Sequence, residues 1–296
     1  MRVAIWGAGR IGAALAYRLV TCEFVSSLEW INRTYKNISA RIVDLEHGLA
    51  FAPCCRHVGG TIPEYAREAL ADVDLVILTQ GEPVPKGGTR DQLLAKNRHV
   101  LQSAVDALAE FKGIVLVVSN PVDALARHVQ EASGVSADRV FGLGTVVETA
   151  RLRSAIAGHM LPDVPPRSVW CFAIGTHDEQ TRVVPGPCGV GLPALPERVW
   201  KSLREEVIRA PQRVKVDDLS TLHPVVEGAI AVARAIGNNS GEILTVSVKD
   251  DQTPYYFSIP VSVGRTGVLN RHTLGIASED LAACRQAAAV LQDTKR

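Results

Sequence analysis

Short apolar runs alternate with amphipathic stretches through the first half of the chain. A continuous apolar run is typical of a strand buried on both faces of a parallel sheet, whereas apolar residues three and four positions apart indicate a helix. Helices are therefore expected between successive strands, which is the pattern of a doubly wound α/β sheet. The predicted strands span residues 3–6, 28–31, 73–79, 114–118 and 139–143, with a short edge strand within 56–62.

The pattern changes after about Gly144, where the apolar runs become alternating and favour antiparallel pairing. We therefore predict two domains, a doubly wound α/β domain of the Rossmann type at 1–144 and an α+β domain at 145–296. The elements expected in the second half are a strand at 169–174, helices at 195–208 and 225–236, a hairpin or meander formed by 243–248 and 255–263, and a closing helix that Ser278 can cap.

A glycine turn follows the first predicted strand directly. Gly7, Gly9 and Gly12 stand between that strand and an amphipathic helix. In a dinucleotide-binding turn the first glycine permits the tight bend, the second lets a pyrophosphate approach the backbone, and the third lets the helix lie close to the strand. Arg10 and Ile11 occupy the helix start, where free N–H groups and the helix dipole attract phosphate. These five positions predict a cofactor site.

Composition and charge narrow the class of protein. The chain has 296 residues, 47% of them hydrophobic, as in an ordinary globular protein. Its formal net charge is +1 and no run of Lys or Arg stands out, so we expect no nucleic-acid or membrane partner. No stretch is apolar enough to span a bilayer, and the N-terminus begins a strand instead of a signal peptide. The six scattered cysteines lack zinc spacing, so we expect reduced thiols, no metal and a cytoplasmic protein.

Several further motifs follow the glycine turn in order. They are a Gly/Pro-rich loop at 81–90, Asn120-Pro121, the segment 144–151, Gly-Thr-His-Asp at 175–178, and Pro260 with Gly-Arg-Thr-Gly at 264–267. In these motifs the chain resembles the lactate/malate dehydrogenase family of 2-hydroxy acid dehydrogenases nearly from end to end. The resemblance implies hydride transfer between a nicotinamide cofactor and a small 2-oxo acid, by a homodimer or homotetramer. It also implies that 1–144 is the Rossmann dinucleotide-binding domain and that 145–296 is the substrate and catalytic domain.

The resemblance assigns roles to three residues of the catalytic centre. His177 matches the catalytic histidine, although the family commonly has Gly-Glu-His-Gly where this chain has Gly-Thr-His-Asp. A side chain that titrates near neutrality suits proton exchange with a carbonyl oxygen. Glu148 falls where the family usually has an aspartate that orients this histidine. Arg151 matches the arginine that holds the substrate carboxylate bidentately.

Two more residues match positions around the substrate. Arg90 resembles the loop arginine that polarises the carbonyl as negative charge develops on its oxygen. Gly87 and Gly88 would let that loop close over the substrate and exclude water. Asn120 resembles the asparagine that contacts the substrate and the nicotinamide side of the site, so it counts as both a substrate and a cofactor residue.

The end of the second predicted strand departs from the pattern of NAD enzymes. Asp or Glu normally stands there and binds the ribose hydroxyls, but this chain has Asn32. Without the carboxylate a 2′-phosphate meets no repulsion, and Arg33 and Thr34 can donate hydrogen bonds to it. The same Asn-Arg-Thr arrangement resembles the NADP site of shikimate dehydrogenases. We therefore predict NADP as the preferred cofactor and NAD as the alternative.

The closing loop departs from the pattern at the position that reads the substrate side chain. Counting back from Arg90, this position is Val84, where lactate-type enzymes typically have Gln and malate-type enzymes Arg. Val84 offers neither a charge nor a hydrogen bond. Lys86 can instead swing in and meet an acidic substrate, because Pro85 and Lys86 stand in the reverse of the usual order.

The main hypothesis is an NADP(H)-preferring reductase of a 2-oxo acid. Three alternatives stay open: a malate dehydrogenase that uses Lys86, a reductase of a related carbonyl or imine in a specialised pathway, and a nucleotide-binding homologue that has lost turnover. The altered residues around His177 and Glu148 permit the last alternative. The retained arginines, asparagine and histidine argue against it.

Overall fold

Strands and helices alternate through the first half of the chain in the computed structural model, which describes residues 1–82, 89–160, 163–185, 195–214 and 221–293. The elements of this half are β1 (Arg2–Trp6), α1 (Arg10–Val20), β2 (Ser27–Ile31), α2 (Lys36–Gly48), β3 (Val58–Thr61), α3 (Ala66–Ala69), β4 (Leu75–Leu78), α4 (Arg90–Ala107), β5 (Ile114–Val117), α5 (Val122–Ser133) and β6 (Val140–Gly142).

The second half mixes longer helices with short antiparallel strands. Its elements are α6 (Val146–Met160), β7 (Cys171–Ile174), β8 (Arg182–Pro185), α7 (Glu197–Val214), α8 (His223–Gly237), β9 (Glu242–Leu244), β10 (Ser247–Lys249), β11 (Tyr256–Ser258), β12 (Val261–Gly264), β13 (Gly267–Arg271) and α9 (Ser278–Gln292). The helix α9 is preceded by Ala277, and no side chain caps it, so the expectation that Ser278 caps this helix is wrong.

One eight-stranded sheet organises the molecule, in the order β11-β10-β6-β5-β4-β1-β2-β3. The six strands from β6 to β3 are parallel, and Ile5 of β1 lies beside Trp30 on one side and Ile77 on the other. The predicted edge strand is β3, at the end of the sheet. The predicted doubly wound α/β class is confirmed.

Helices cover both faces of this sheet, because its central strands are apolar on both sides. All four residues of β4 and all four of β5 are buried. One face packs against Leu15 and Leu19 of α1 and Ile230 of α8. The opposite face packs against Leu101 of α4 and Leu125 of α5. Burial on two faces explains why these strands are continuous apolar runs with no alternation.

The large sheet extends past the predicted domain boundary. β10 and β11 form the expected antiparallel pair, and β10 then joins β6 through the pair Ser247 and Gly142. The hydrophobic pattern indicated the pairing of β10 with β11, but it carried no information about which edge the pair would join. The division at residue 144 stays a prediction.

A separate hydrophobic cluster supports the second half, where α6 packs against α7 and β7 through residues such as Leu152, Ile156 and Leu203. The described cysteines at positions 22, 54, 55, 171 and 284 are free thiols. Among the helices of the described ranges, none has the length and apolar character needed to cross a membrane.

Candidate active site

The glycine turn between β1 and α1 has the backbone that a pyrophosphate needs. Gly7 has φ +116°, a conformation that favours glycine, and a Cβ at Gly12 would lie 2.1 Å from the carbonyl oxygen of Gly7. The space in front of Gly9 is open, because a Cβ there would meet no atom within 4 Å. Gly9 is also the N-cap of α1, and no side chain caps that helix start. The turn therefore fits a dinucleotide.

The end of β2 presents polar and cationic groups beside this turn. Asn32 follows the strand, and its Nδ2 donates to the carbonyl oxygen of Thr34 at 3.0 Å, which ties the short loop together. Arg33 and Thr34 are exposed. The three predicted residues are thus contiguous on the surface at the carboxyl end of a parallel strand, where nucleotides bind in open α/β sheets.

Arg41 of α2 joins this group and was missed in the sequence. Its Nη1 donates to the carbonyl oxygen of Ala8 at 2.9 Å, and its guanidinium lies 6.0 Å from the centre of the Trp30 ring. Trp30 in turn donates to the carbonyl oxygen of Gly7 at 2.9 Å. The sequence indicated this position of Arg41 only weakly. The buried Ile38 and Ile42 mark the inward face of α2, and Arg41 borders that face.

One carboxylate joins two of the predicted catalytic residues. Glu148 Oε2 lies 2.8 Å from His177 Nδ1, and Glu148 Oε1 accepts from Arg151 Nη1 at 2.8 Å. The side chain of Glu148 is 7% exposed, compared with 26% for His177 and 14% for Arg151. Because a carboxylate only accepts hydrogen bonds, Nδ1 must carry a proton in this contact. Nε2 is then the nitrogen that can exchange a proton with a bound molecule.

Local structure explains why these side chains meet. Glu148 and Arg151 are one turn apart on α6, so they lie on the same face of the helix. His177 follows β7, where Gly175 has φ +96° and exchanges two backbone hydrogen bonds with Ser258. Asp178 Oδ1 accepts from Thr176 Oγ1 and from the backbone N–H of Gln180, which holds the turn after His177.

The pKa values in this cluster shift in the directions that proton transfer needs. Burial alone would lower the pKa of His177, but the adjacent Glu148 carboxylate and, more weakly, Asp123 raise it above the ordinary value. Burial would raise the pKa of Glu148, and the charges of His177 and Arg151 outweigh this and lower it. Burial lowers the pKa of Arg151. The cluster therefore favours an imidazolium paired with a carboxylate.

Asn120 lies beside this cluster and is held by Asn97 of α4. Asn97 Nδ2 donates to the carbonyl oxygen of Asn120 at 2.6 Å, while its Oδ1 accepts from the backbone N–H of Glu82 at 2.7 Å. Asn97 is almost fully buried, so these bonds replace the hydrogen bonds it would make with water. Asn97 thus connects Glu82 of the closing loop to the Asn-Pro turn.

The structure describes only part of the predicted closing loop. Val84 and Lys86, with Gly87 and Gly88, lie outside the described residues. Arg90 is the first residue of α4, which begins with a capping box between Thr89 and Gln92. The roles of these loop residues rest on the sequence alone.

A cavity of about 500 Å³ opens onto His177, Glu148, Arg151 and Asn120. Its size is typical of small-molecule sites. Its lining also includes Val207, Ile208 and Pro211 of α7. Thr221, which sequence analysis also missed, borders the cavity and accepts from Arg151 Nη2 at 3.2 Å. The cavity is therefore lined by both polar and apolar groups.

Known proteins are similar to this chain in sequence and in fold. The model of the lactate/malate dehydrogenase NAD-binding domain matches residues 1–142. L-lactate dehydrogenase 2 of Staphylococcus aureus is 29% identical over 309 aligned residues, which cover 99% of this chain and 95% of that protein. The chain belongs to the lactate/malate dehydrogenase family. It is therefore an oxidoreductase whose N-terminal half is a nicotinamide-cofactor domain.

Solved structures of the family superimpose on nearly the whole chain. A lactate dehydrogenase from a Medee basin deep-sea metagenome library has a TM-score of 0.87 at 26% identity, with 99% of this chain and 96% of that chain covered. The minor L-lactate dehydrogenase from Enterococcus mundtii has a TM-score of 0.87 at 27% identity, covering 100% and 98%. The malate dehydrogenase from Aeropyrum pernix reaches 0.88 at 22% identity, which shows the shared fold alone.

Proposed function

We propose that this member of the lactate/malate dehydrogenase family reduces a 2-oxo acid to the 2-hydroxy acid with NADPH as the preferred cofactor. The observation that carries the proposal is the single buried carboxylate of Glu148, which contacts His177 through one oxygen and Arg151 through the other. This arrangement brings an imidazole and a guanidinium side by side in one cavity, which supports their use as proton donor and carboxylate-binding cation. A 2-oxo acid has a carbonyl next to a carboxylate, which matches that spacing.

Three side chains have separate roles in the proposed reduction. Arg151 has five N–H donors, of which two bond Glu148 and Thr221, so others can bind the substrate carboxylate. His177 Nε2 donates a proton to the carbonyl oxygen, and Glu148 stabilises the imidazolium until that transfer. A bound reduced nicotinamide supplies the hydride that the carbonyl carbon accepts. Oxidation of the hydroxy acid runs through the same groups in reverse, with neutral His177 as the base.

Substrates with apolar side chains fit the cavity best. Val207 and Ile208 line this cavity, and from the sequence we assign Val84 to the loop position that reads the side chain. We expect 2-oxo acids with apolar side chains to be reduced at least as well as oxaloacetate. Absorbance at 340 nm, followed while a panel of 2-oxo acids is added to enzyme and NADPH, measures this preference directly.

Changing Val84→Arg should move the preference toward the dicarboxylate, because the new cation can pair with the second carboxylate. Val43→Arg, on the exposed side of α2, adds the same charge elsewhere and serves as the control. If oxaloacetate is already the best substrate by a wide margin, Lys86 reads the side chain and the enzyme is a malate dehydrogenase. Cofactor binding without oxidation by any carbonyl or imine of the panel would favour the silent homologue.

The cofactor preference rests on the cations at the end of β2. Arg33 is exposed and follows Asn32, so no carboxylate of this strand end repels a 2′-phosphate, and Arg41 brings a second guanidinium to the neighbouring turn. We expect Arg33→Ala to weaken NADPH binding by about ten- to a hundredfold, the loss of one charge-assisted contact. The affinity for NADH should change by less than about threefold, because NADH has no 2′-phosphate.

The measurement is the dissociation constant of each cofactor, taken from the quenching of tryptophan fluorescence. Arg56→Ala removes a charge from another exposed site of the same half and should leave both constants unchanged. Equal affinity of the unmodified protein for NADPH and NADH would contradict the cofactor proposal and leave the proposed reaction intact.

A further inference from the structure

Asp123 is a buried carboxylate that the reaction described above does not use. It lies in the first turn of α5, directly after the Asn120-Pro121 turn, and is 1% exposed. Its Oδ2 accepts a hydrogen bond from the backbone N–H of His177 at 3.0 Å. Its Oδ1 is buried and makes no hydrogen bond of ordinary geometry among the described residues, and the neighbouring Ser247 hydroxyl makes none either. A buried carboxylate oxygen without a hydrogen bond lowers the free energy of unfolding, so its presence here requires an explanation.

The groups that face Asp123 account for its electrostatics. Burial raises the pKa of Asp123 to about 6, while the Ser247 hydroxyl, the His177 backbone N–H and the His177 ring favour its charged form. Asp178 opposes them through its like charge. Asp123 forms no salt bridge to a Lys or Arg within the described part of the chain. The imidazolium of His177 is thus the cation that Asp123 meets most closely.

We propose that Asp123 is a positioning residue that holds the backbone of His177 against the Asn120-Pro121 turn and supplies a second negative charge to its imidazolium. The inference rests on the proposed role of His177 as proton donor. Glu148 fixes the ring through Nδ1, and Asp123 fixes the main chain from which that ring extends. Two anchors define the direction of Nε2 better than either anchor alone, and catalytic groups need that precision.

The balance of charges around His177 explains the electrostatic role of Asp123. With His177 protonated, the positive charges of His177 and Arg151 equal the negative charges of the buried Glu148 and Asp123, and the partly exposed Asp178 adds one negative charge outside this set. Loss of the proton from His177 leaves this set with one excess negative charge in a buried site, which opposes deprotonation. Asp123 therefore helps His177 stay protonated before the carbonyl is reduced, and it makes the titrations of the two groups interdependent.

The Asp123→Asn variant separates charge from shape. An asparagine oxygen can still accept from the backbone N–H of His177, so the fold is kept while the charge is lost. We expect kcat for reduction to fall about three- to thirtyfold, with KM nearly constant, and the high-pH limb of the profile to move down by about half a unit to one unit. A purely structural role would leave the position of that limb unchanged.

A matched control comes from the other end of the same helix. Ser133 is also buried, and its hydroxyl bonds the carbonyl oxygen of Val129. Ser133→Ala should lower the melting temperature without moving the pH profile. A wild-type profile and wild-type kcat in a folded Asp123→Asn variant would overturn the proposal.

A second measurement uses the unmodified protein and no substrate. The ring C–H resonances of His177, followed by NMR against pH, should show the main titration and a second inflection near the pKa of Asp123. A single titration without that inflection would overturn the coupling, even if the variant fails to fold. Because no 2-oxo acid is present, this result is independent of whether the proposed reaction is correct.

Discussion

Replacing Glu148 by Gln should lower kcat for reduction by about 10²- to 10⁴-fold, the range of contributions from positioned proton transfer. The glutamine has the same shape but no charge, so it cannot stabilise the imidazolium that forms on His177. It also offers an N–H₂ group that can face Nδ1, which would select the wrong tautomer of the ring. The dissociation constant of the cofactor should stay within about twofold, because the hydrogen bonds of Glu148 are made to His177 and Arg151 and not to the glycine turn.

The dependence of activity on pH should also change in Glu148→Gln, in a direction that can be derived. The carboxylate of Glu148 raises the pKa of His177, so loss of its charge in the glutamine variant should lower that pKa. Reduction requires protonated His177 and is lost as the pH rises through this pKa, and the variant should therefore lose activity at lower pH than the wild type. Oxidation requires neutral His177, so its rise with pH should also move to lower pH. Profiles of kcat/KM in both directions test the two signs separately.

Glu148→Asp is the matched variant, because it keeps the charge and restores the residue usual in the family. The carboxylate of an aspartate ends one methylene, about 1.5 Å, nearer the helix, so both 2.8 Å contacts of Glu148 would be broken. We expect this variant to be impaired and not improved. Unchanged turnover and an unchanged pH profile in Glu148→Gln would show that another carboxylate orients His177.

Replacing Arg151 by Lys should lower kcat/KM by about 30- to 1,000-fold, which corresponds to a loss of about 2–4 kcal/mol. Lysine retains the positive charge, but a single ammonium cannot bind a carboxylate with two parallel bonds or reach Glu148 and Thr221 together. The main effect should fall on KM and on the orientation of the carbonyl. Arg209→Lys, on the exposed face of α7, is the control.

A substrate amide makes the test of Arg151 specific. A 2-oxo amide keeps the carbonyl and lacks the negative charge, so the wild type should strongly prefer the acid. In Arg151→Lys this preference should shrink, because the bidentate contact that creates it is lost. A variant that loses activity toward acid and amide by the same factor would show that Arg151 supports the fold of the site and does not bind the carboxylate.

The fold could be predicted largely from local constraints. Gly7 and Gly12 are dictated by a positive φ and by a contact too close for a Cβ, so the turn is visible in the sequence. Two-face burial makes β4 and β5 continuous apolar runs. The edge joined by β10 was not predictable, because it depends on one rung between Ser247 and Gly142 and not on any periodicity.

The site was less accessible to sequence reasoning, because its contacts connect distant segments. Glu148 and His177 were paired through family resemblance, since no periodicity relates residues that far apart. Only the bond between Arg151 and Glu148 follows from local spacing, because the two residues are three positions apart on one helix. Arg41 and Asp123 are ordinary helix residues in the sequence, and their importance comes from the backbone atoms that they contact.

The most direct test of the proposed chemistry is a crystal structure with oxidised NADP and an unreactive 2-oxo acid analogue bound. We expect the carboxylate of the analogue to make two bonds to Arg151, and its carbonyl oxygen to lie about 2.6–3.2 Å from His177 Nε2, within hydrogen-bond reach. Glu148 should retain its contact with Nδ1. A carboxylate bound away from Arg151, or a carbonyl oxygen out of reach of His177, would contradict the proposed reaction.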